Sequence, residues 1–453
     1  MASEFSSFVT EHQEDFLDQW RAAVKIESTS TQPEKMTDMA KFLESVLVSQ
    51  GFGVEFLPSA GYPLILGQVR SLREGAPTIL IYGHYDVQPA EPLDRWESPP
   101  FEPTIRDGRL YGRGTGDNKG QHLAHIFGVG AVIARYKTCP VNIKVLLEGD
   151  EESGSPHLAQ AFIRYRDKLS CDLAITSDGP MGMGDHPVIR LGVRGILSFE
   201  LKASGAMFDN HSGHKGNVVP NPAWDLVHAL SKLISPEGRV LVPGFYDDVE
   251  PIGLGEEHLI QKLPFDPETL SLILGLSTEE IQMWDPVSYY KRLMMPSFSI
   301  NGIESGYNGP GSKSIIPASA SVRCDFRLVA HQDPVVIEDR LRKYLAEVAP
   351  TVEYVGHPGF MYPSRTSPDH PAIPLVKTAM ERAYGKEPYI EPAMGGSLPD
   401  YVFTRILNVP SFIIPYANQD EANHGPNENM RLSLFHQAIV ATSELVMAFG
   451  QYS

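Results

Sequence analysis

Apolar residues first recur at helical spacing. Phe16, Leu17, Trp20 and Val24 share one face of a segment running from about residue 5 to 26, and Met39, Phe42, Leu43, Val46 and Leu47 repeat the pattern up to Gly51. Short, nearly continuous apolar runs follow at 63–69, 78–83, 142–147, 172–176 and 411–415. Runs of this length between helical segments predict strands buried on both faces of a mostly parallel sheet sandwiched by helices. A buried helix leaves the same local signature, so periodicity alone does not separate the two.

The pattern changes at Gly192. Leu197, Phe199 and Leu201 alternate with Ser198, Glu200 and Lys202, and Val322, Cys324, Phe326 and Leu328 alternate with Arg323, Asp325 and Arg327. Period two means a sheet with one wet face. Helical patterns accompany these strands: Leu226, Ala229, Leu230 and Leu233 in one, Ile337, Leu341, Tyr344 and Leu345 in another that opens on Asp333-Pro334. Residues 191–357 therefore read as an inserted α+β domain. Helical patterns at 371–385 and 433–448 and the apolar run at 411–415 return to the first architecture, so 1–190 and 358–453 form one α/β domain. A chain of 453 residues is long enough for two cores.

Charge narrows the partners. With 38 basic and 56 acidic side chains the net charge is −18, which argues against nucleic acid or an anionic membrane as a partner. Cys139, Cys171 and Cys324 are scattered through apolar surroundings, indicating thiols rather than a disulfide framework or a cysteine metal site. The first residues, Met1-Ala-Ser-Glu-Phe5, carry no basic segment ahead of a long apolar one, so neither a signal peptide nor a membrane span is expected and the cytoplasm is the default.

The chemistry gathers where the buried runs end. The run at 78–83 stops at His84 and Asp86; 145–147 leads into Glu148-Gly-Asp-Glu-Glu152; 173–175 into Thr176-Ser-Asp178; 412–415 into Asn423-His424. A glycine-rich loop around Asp117 follows the first of these. Open α/β sheets bind ligands beyond the carboxyl ends of their strands, so these endings converge in one crevice. Two histidines with surplus carboxylates suit a pair of divalent cations of the zinc, manganese or cobalt kind. A single Asp after a strand more often caps the next helix; it is the repetition of such endings that points to metal.

Gly83-His-Tyr-Asp-Val-Gln-Pro-Ala90, Tyr111-Gly-Arg-Gly-Thr-Gly-Asp-Asn-Lys-Gly120 and Glu148-Gly-Asp-Glu-Glu-Ser-Gly154 closely resemble the two-metal peptidase family that includes carnosinase, glutamate carboxypeptidase, aminoacylase and the acetylornithine and succinyl-diaminopimelate deacylases. The resemblance runs from about residue 78 to 430. Val242-Pro-Gly-Phe-Tyr-Asp-Asp-Val249, Pro296-Ser-Phe-Ser-Ile-Asn-Gly-Ile303 and Gly311-Ser-Lys-Ser-Ile-Ile-Pro317 look like the carnosinase or cytosolic dipeptidase branch.

The resemblance implies two divalent ions per subunit, zinc first with manganese or cobalt as alternatives. Asp117 would bridge them, Glu152 and His424 completing one site and His84 and Asp178 the other, with Asp86 orienting His84. Glu151 would be the general base, taking a proton from a water shared between the metals and passing it to the leaving amine. Asp209-Asn-His211-Ser-Gly213 is similar to the family segment that places a histidine in the partner subunit's active site, implying a homodimer with His211 as oxyanion donor. Arg327, Gly396 and Ser397 match groups that hold the substrate's carboxylate, and Ser314 stands where the family has a threonine. Taken alone, Glu151 reads first as part of a solvated acidic run, and the competing readings of the others are a loop side chain for His211, an exposed strand arginine for Arg327 and a turn for Gly395-Gly-Ser397. Asn210 and the stretch Gly425-Pro-Asn-Glu428 depart from the dipeptidase pattern, which bears on substrate preference rather than on the reaction.

The reading is a cytoplasmic dinuclear-metal hydrolase that cleaves dipeptides or similar small amides with a free carboxylate. An N-acyl-amino-acid deacylase of the same mechanism is the alternative; a non-catalytic binding protein is a third, disfavoured because Glu151 and every ligand position are intact.

Overall fold

The computed structural model describes residues 3–452; the first two residues and the last, which fall in the expected α/β domain of 1–190 and 358–453, lie outside them. The N-terminal segment forms two helices, Phe5–Glu11 and Gln13–Val24, where the periodicity predicts one. The break is at His12, whose backbone (φ −106, ψ 10) leaves the helical region while its ring Nδ1 lies 2.9 Å from the Phe8 carbonyl. The apolar stripe is unaffected: Phe16, Leu17, Trp20 and Val24 are buried, and Trp20 stacks on Phe435 at 4.2 Å. Pro33–Ser49 is a helix with proline in its first turn, followed by Gly51 at φ 90, a left-handed conformation that glycine adopts without strain.

All the apolar runs become strands of one eight-stranded sheet, in the order Gly53–Leu57, Leu64–Val69, Asn142–Glu148, Thr78–His84, Leu173–Thr176, Ser411–Ile413, Val188–Arg190 and Tyr389–Glu391. Thr78–His84 is parallel to both its neighbours, and Leu173–Thr176 is parallel to Ser411–Ile413. Antiparallel pairing joins the first strand to the second and the second to Asn142–Glu148. The register aligns His84 with Glu148 and Tyr82 with Thr176. Residues 84–86, 148–152 and 176–178 therefore leave the sheet at one edge, the geometry that makes a crevice at strand carboxyl ends.

Helix Leu432–Phe449 covers this sheet beside Gln121–Tyr136. It is long and apolar enough by composition to cross a bilayer, yet 72% of it is buried inside the fold. The two helices approach closely at Gly128, where a Cβ would lie 2.5 Å from that of Thr442.

Between Gly195 and Met361 a second, antiparallel sheet forms from Ser297–Ser305, Ser319–Leu328, Gly195–Ser204 and Val352–Met361. Its buried face, with Phe199, Leu201, Val322 and Phe326, packs on helices Pro222–Leu233 and Pro334–Val348. Each helix starts as its sequence dictates: Asn221 and Asp333 accept N–H bonds from Ala223 and Val335, and proline follows each cap. The chain passes between the two sheets through a short ladder pairing Gly192–Val193 with Ser364–Arg365. Four short helices, Leu254–Ile260, Pro267–Leu274, Thr278–Gln282 and Pro286–Leu293, complete the insert. All three cysteines are thiols, two of them buried.

Candidate metal centre

His84 ends its strand fully buried, with Nε2 3.0 Å from Asp117 Oδ1 and 3.8 Å from Asp178 Oδ2. On the other side of Asp117, Oδ2 lies 3.0 Å from His424 Nε2, which is also 3.3 Å from Glu152 Oε2. The two oxygens of Asp117 thus face different imidazoles, each accompanied by a further carboxylate. Ligand atoms of His84, Asp117 and Glu152 all fall within 4.8 Å of one another. The His424 side chain is 55% exposed, so the cluster opens to solvent on that side.

The electrostatics ask for cations. Burial pushes the Asp178 carboxyl up to about 7, helped by the charge of Asp117. Desolvation and the charges of Asp178, Glu152 and Asp117 outweigh the pull of His84 and drive Glu151 well above the ordinary carboxylate range. Burial opposes the His84 imidazolium, but hydrogen bonds to Asp117 and Asp86 hold it well above its usual pKa; those to Asp117 and Glu152 raise His424 to about 10. Beside this crowd Glu421 is buried with neither carboxylate oxygen hydrogen-bonded among the described residues. Two imidazoles cannot balance so many carboxylates; two divalent cations among N and O donors do, and the donor set fits them.

Asp86 has two tasks. His84 Nδ1 faces its backbone carbonyl at 3.1 Å and its Oδ1 at 3.4 Å. Its carboxylate also accepts the N–H groups of Glu151 (3.2 Å) and Glu152 (3.0 Å), fixing the turn that carries both side chains. The sequence suggests only the first role.

Glu428 carries no sequence signal for what it does. Its fully buried carboxylate accepts the N–H groups of Gly114, Gly116 and Asp117 at 2.9–3.1 Å and pairs with Arg113 at 2.8 Å. The stretch that departs from the family pattern after His424 therefore shapes the Asp117 loop. Asn118 adds a bond to the Ser177 carbonyl at 2.7 Å, joining that loop to the turn bearing Asp178. Arg113→Ala would strand a buried carboxylate without its cation. It is expected to destabilise the fold by about 3–5 kcal/mol, read as a lowered urea midpoint.

A second group lies on the insert and the loop facing it. Arg327 Nη1 donates to Ser397 Oγ at 2.8 Å, with Asp325 Oδ1 at 3.5 Å from Arg327 Nε and Gly396 exposed alongside. His211 and Ser314 form a third group. They stand in and beside a two-stranded ribbon pairing Asn210–His211 with Ile315–Ile316. Both are exposed; His211 Nδ1 accepts the Gly213 N–H and the Ser314 carbonyl accepts that of Ser212. Among the described residues neither is hydrogen-bonded to the acidic cluster or to Arg327. The structure thus brings His84, Asp86, Asp117, Glu151, Glu152, Asp178 and His424 together, and leaves His211 and Ser314 apart from them within one chain.

Residues 80–448 match the model of peptidase family M20/M25/M40. The chain is 31% identical to the human Beta-Ala-His dipeptidase, over 93% of this chain and 88% of that protein. It is 30% identical to the Cys-Gly metallodipeptidase of Schizosaccharomyces pombe, over 95% and 94%. In structure it superposes on an M20 family metallo-carboxypeptidase from Sulfolobus solfataricus with a TM-score of 0.90 and 32% identity, covering 96% of this chain and 99% of that one.

Proposed function

The chain belongs to peptidase family M20/M25/M40, and from that premise we propose that it is a metal-dependent dipeptidase acting on dipeptides or similar small amides with a free carboxylate. Relatives named as metallodipeptidases and as a Beta-Ala-His dipeptidase support the reaction. The observation that carries the site assignment is the pair of imidazole–carboxylate groups on either oxygen of Asp117.

In this reading His84, Asp117 and Asp178 hold one divalent ion and His424, Asp117 and Glu152 the other, zinc being the first choice. Bound there, the ions would polarise the substrate carbonyl and acidify a water molecule. Glu151 accepts that water's proton on its carboxylate and delivers it to the leaving amine nitrogen. Asp86 keeps Glu151 in place through its N–H, and His84 through its Nδ1. The Arg327 guanidinium binds the substrate carboxylate together with Ser397 Oγ and the Gly396 backbone. Arg327→Ala is expected to raise KM for dipeptides by about 10–100-fold, the worth of a charge-assisted hydrogen bond, with a smaller effect on kcat.

The working unit in this reading is a homodimer built on the insert, 191–357, while 1–190 and 358–453 form the catalytic part. Ser297–Ser305 is an edge strand that leaves Ile300 and Ile303 exposed, and helix Pro222–Leu233 exposes Trp224 and Val227. Apolar edges of this kind are normally covered. Met207 and Phe208, also exposed, lie close in sequence to His211, which supports its donation, with Ser314 beside it, into the partner's active site. A cytoplasmic location accords with three thiols and no disulfide.

A panel of dipeptides assayed against N-acetyl amino acids tests the reaction class. Dipeptides are expected to be cleaved with the higher kcat/KM; preference for the acyl amino acids would make the enzyme a deacylase.

A further inference from the structure

We propose that a cavity between the short helices of the insert and the edge of the large sheet is a specificity pocket for a bulky apolar side chain on the substrate residue that bears the free carboxylate. The inference rests on the dipeptidase reading. The cavity is about 250 Å³ and is bounded on one side by the segment from Pro180 to Met183, on the other by Ile260–Pro264, helices Pro267–Leu274 and Pro286–Leu293, and Met294.

Its position ties it to the site. Pro180 follows Asp178 by two residues, and Gly395 immediately precedes Gly396 of the carboxylate loop. Arg194 Nε donates to the Gly395 carbonyl at 2.8 Å and Nη1 to the Met295 carbonyl at 3.2 Å, bracing the loop against the end of the last short helix. Met394 and Gly395 line the cavity, and the next two residues of the same loop are Gly396 and Ser397, the hydrogen-bond partner of Arg327. In this proposal a substrate whose carboxylate meets Arg327 and Ser397, with its scissile bond near Asp178, turns the side chain of its carboxylate-bearing residue toward the cavity that lies beside both loops.

Its chemistry sets the class of side chain. Four of the polar side chains lining it are bonded within the protein: Arg190 to Glu391 at 2.7 Å and to the Pro180 carbonyl at 2.9 Å, Tyr290 to the Pro264 carbonyl, and Gln419 to the Gly184 N–H. The apolar ones are not all used up, since Ile273 and Leu293 remain 51% and 37% exposed at the rim. Four methionines, Met181, Met183, Met294 and Met394, contribute to the walls, and thioethers adapt to rings and branched chains alike. An apolar cavity of about 150 Å³ already holds a benzene ring, so this one has room for Phe, Leu or Met.

The test compares kcat/KM for Ala-Phe and Ala-Gly in the wild-type enzyme, in Ile273→Trp and Leu293→Trp, which fill the cavity from its rim, and in Leu272→Trp, a control on the exposed side of the same helix. The wild type is expected to favour Ala-Phe by about tenfold or more, and each filling variant to reduce that ratio by about tenfold, while the control keeps it. Cleavage of both dipeptides without preference, or a ratio unmoved by both filling variants, would overturn the pocket alone. Cleavage of neither by the wild type would overturn the dipeptidase reading and the pocket with it.

Discussion

Replacing Glu151 with Gln is expected to lower kcat for dipeptide hydrolysis by about 10²–10⁴-fold, the usual worth of a positioned general base, with two metal ions per chain still bound. The amide keeps the size of the carboxylate and leaves the Glu151 N–H bonded to Asp86, so the turn that also carries Glu152 should stand. What disappears is an acceptor for the proton. The role of Glu151 is therefore read from activity and metal content together. A variant with wild-type kcat removes Glu151 from the chemistry. A variant that loses metal makes it a ligand instead.

The second large effect is expected at His211. Loss of an oxyanion donor costs about 10²–10³-fold in kcat, so His211→Ala should be nearly inactive although its side chain is exposed and unconnected to the acidic cluster of its own chain. If the partner supplies it, mixing His211→Ala with Glu151→Gln subunits restores hydrolysis. In each heterodimer one site combines an intact Glu151 with the partner's intact histidine. Random pairing in a two-fold dimer then gives about one quarter of wild-type activity. A histidine acting within its own chain gives no recovery, because each site then lacks one of the two groups.

The distribution of what the sequence reveals follows from the range of the interactions. The strands were legible because burial on both faces writes itself into a local run of apolar residues, and their ends at His84, Glu152 and Asp178 were legible because the same kind of ending repeats on several runs, which helix capping of one strand alone does not explain. The glycine-rich loop around Asp117 was legible as a motif. The break of the first helix at His12 was not, since it leaves the apolar stripe unchanged. The four short helices at 254–293 carry local signals, with Asp266, Ser277 and Asp285 all capping in the structure, but each is too short to show a periodicity. Glu428 was misleading for another reason. Its four partners lie more than three hundred positions away in the chain, and no local pattern reports a contact of that range. The same holds for Arg194, whose brace between Gly395 and Met295 exists only once the insert has folded back on the large sheet.

The central claim is that hydrolysis depends on two cations held around Asp117. The most direct measurement is dipeptide hydrolysis by protein stripped with a chelator and then titrated with a divalent metal. The stripped enzyme is expected to be inactive, with activity returning as metal is added and levelling off at two ions per chain. Hydrolysis at the untreated rate by the stripped protein would contradict the account.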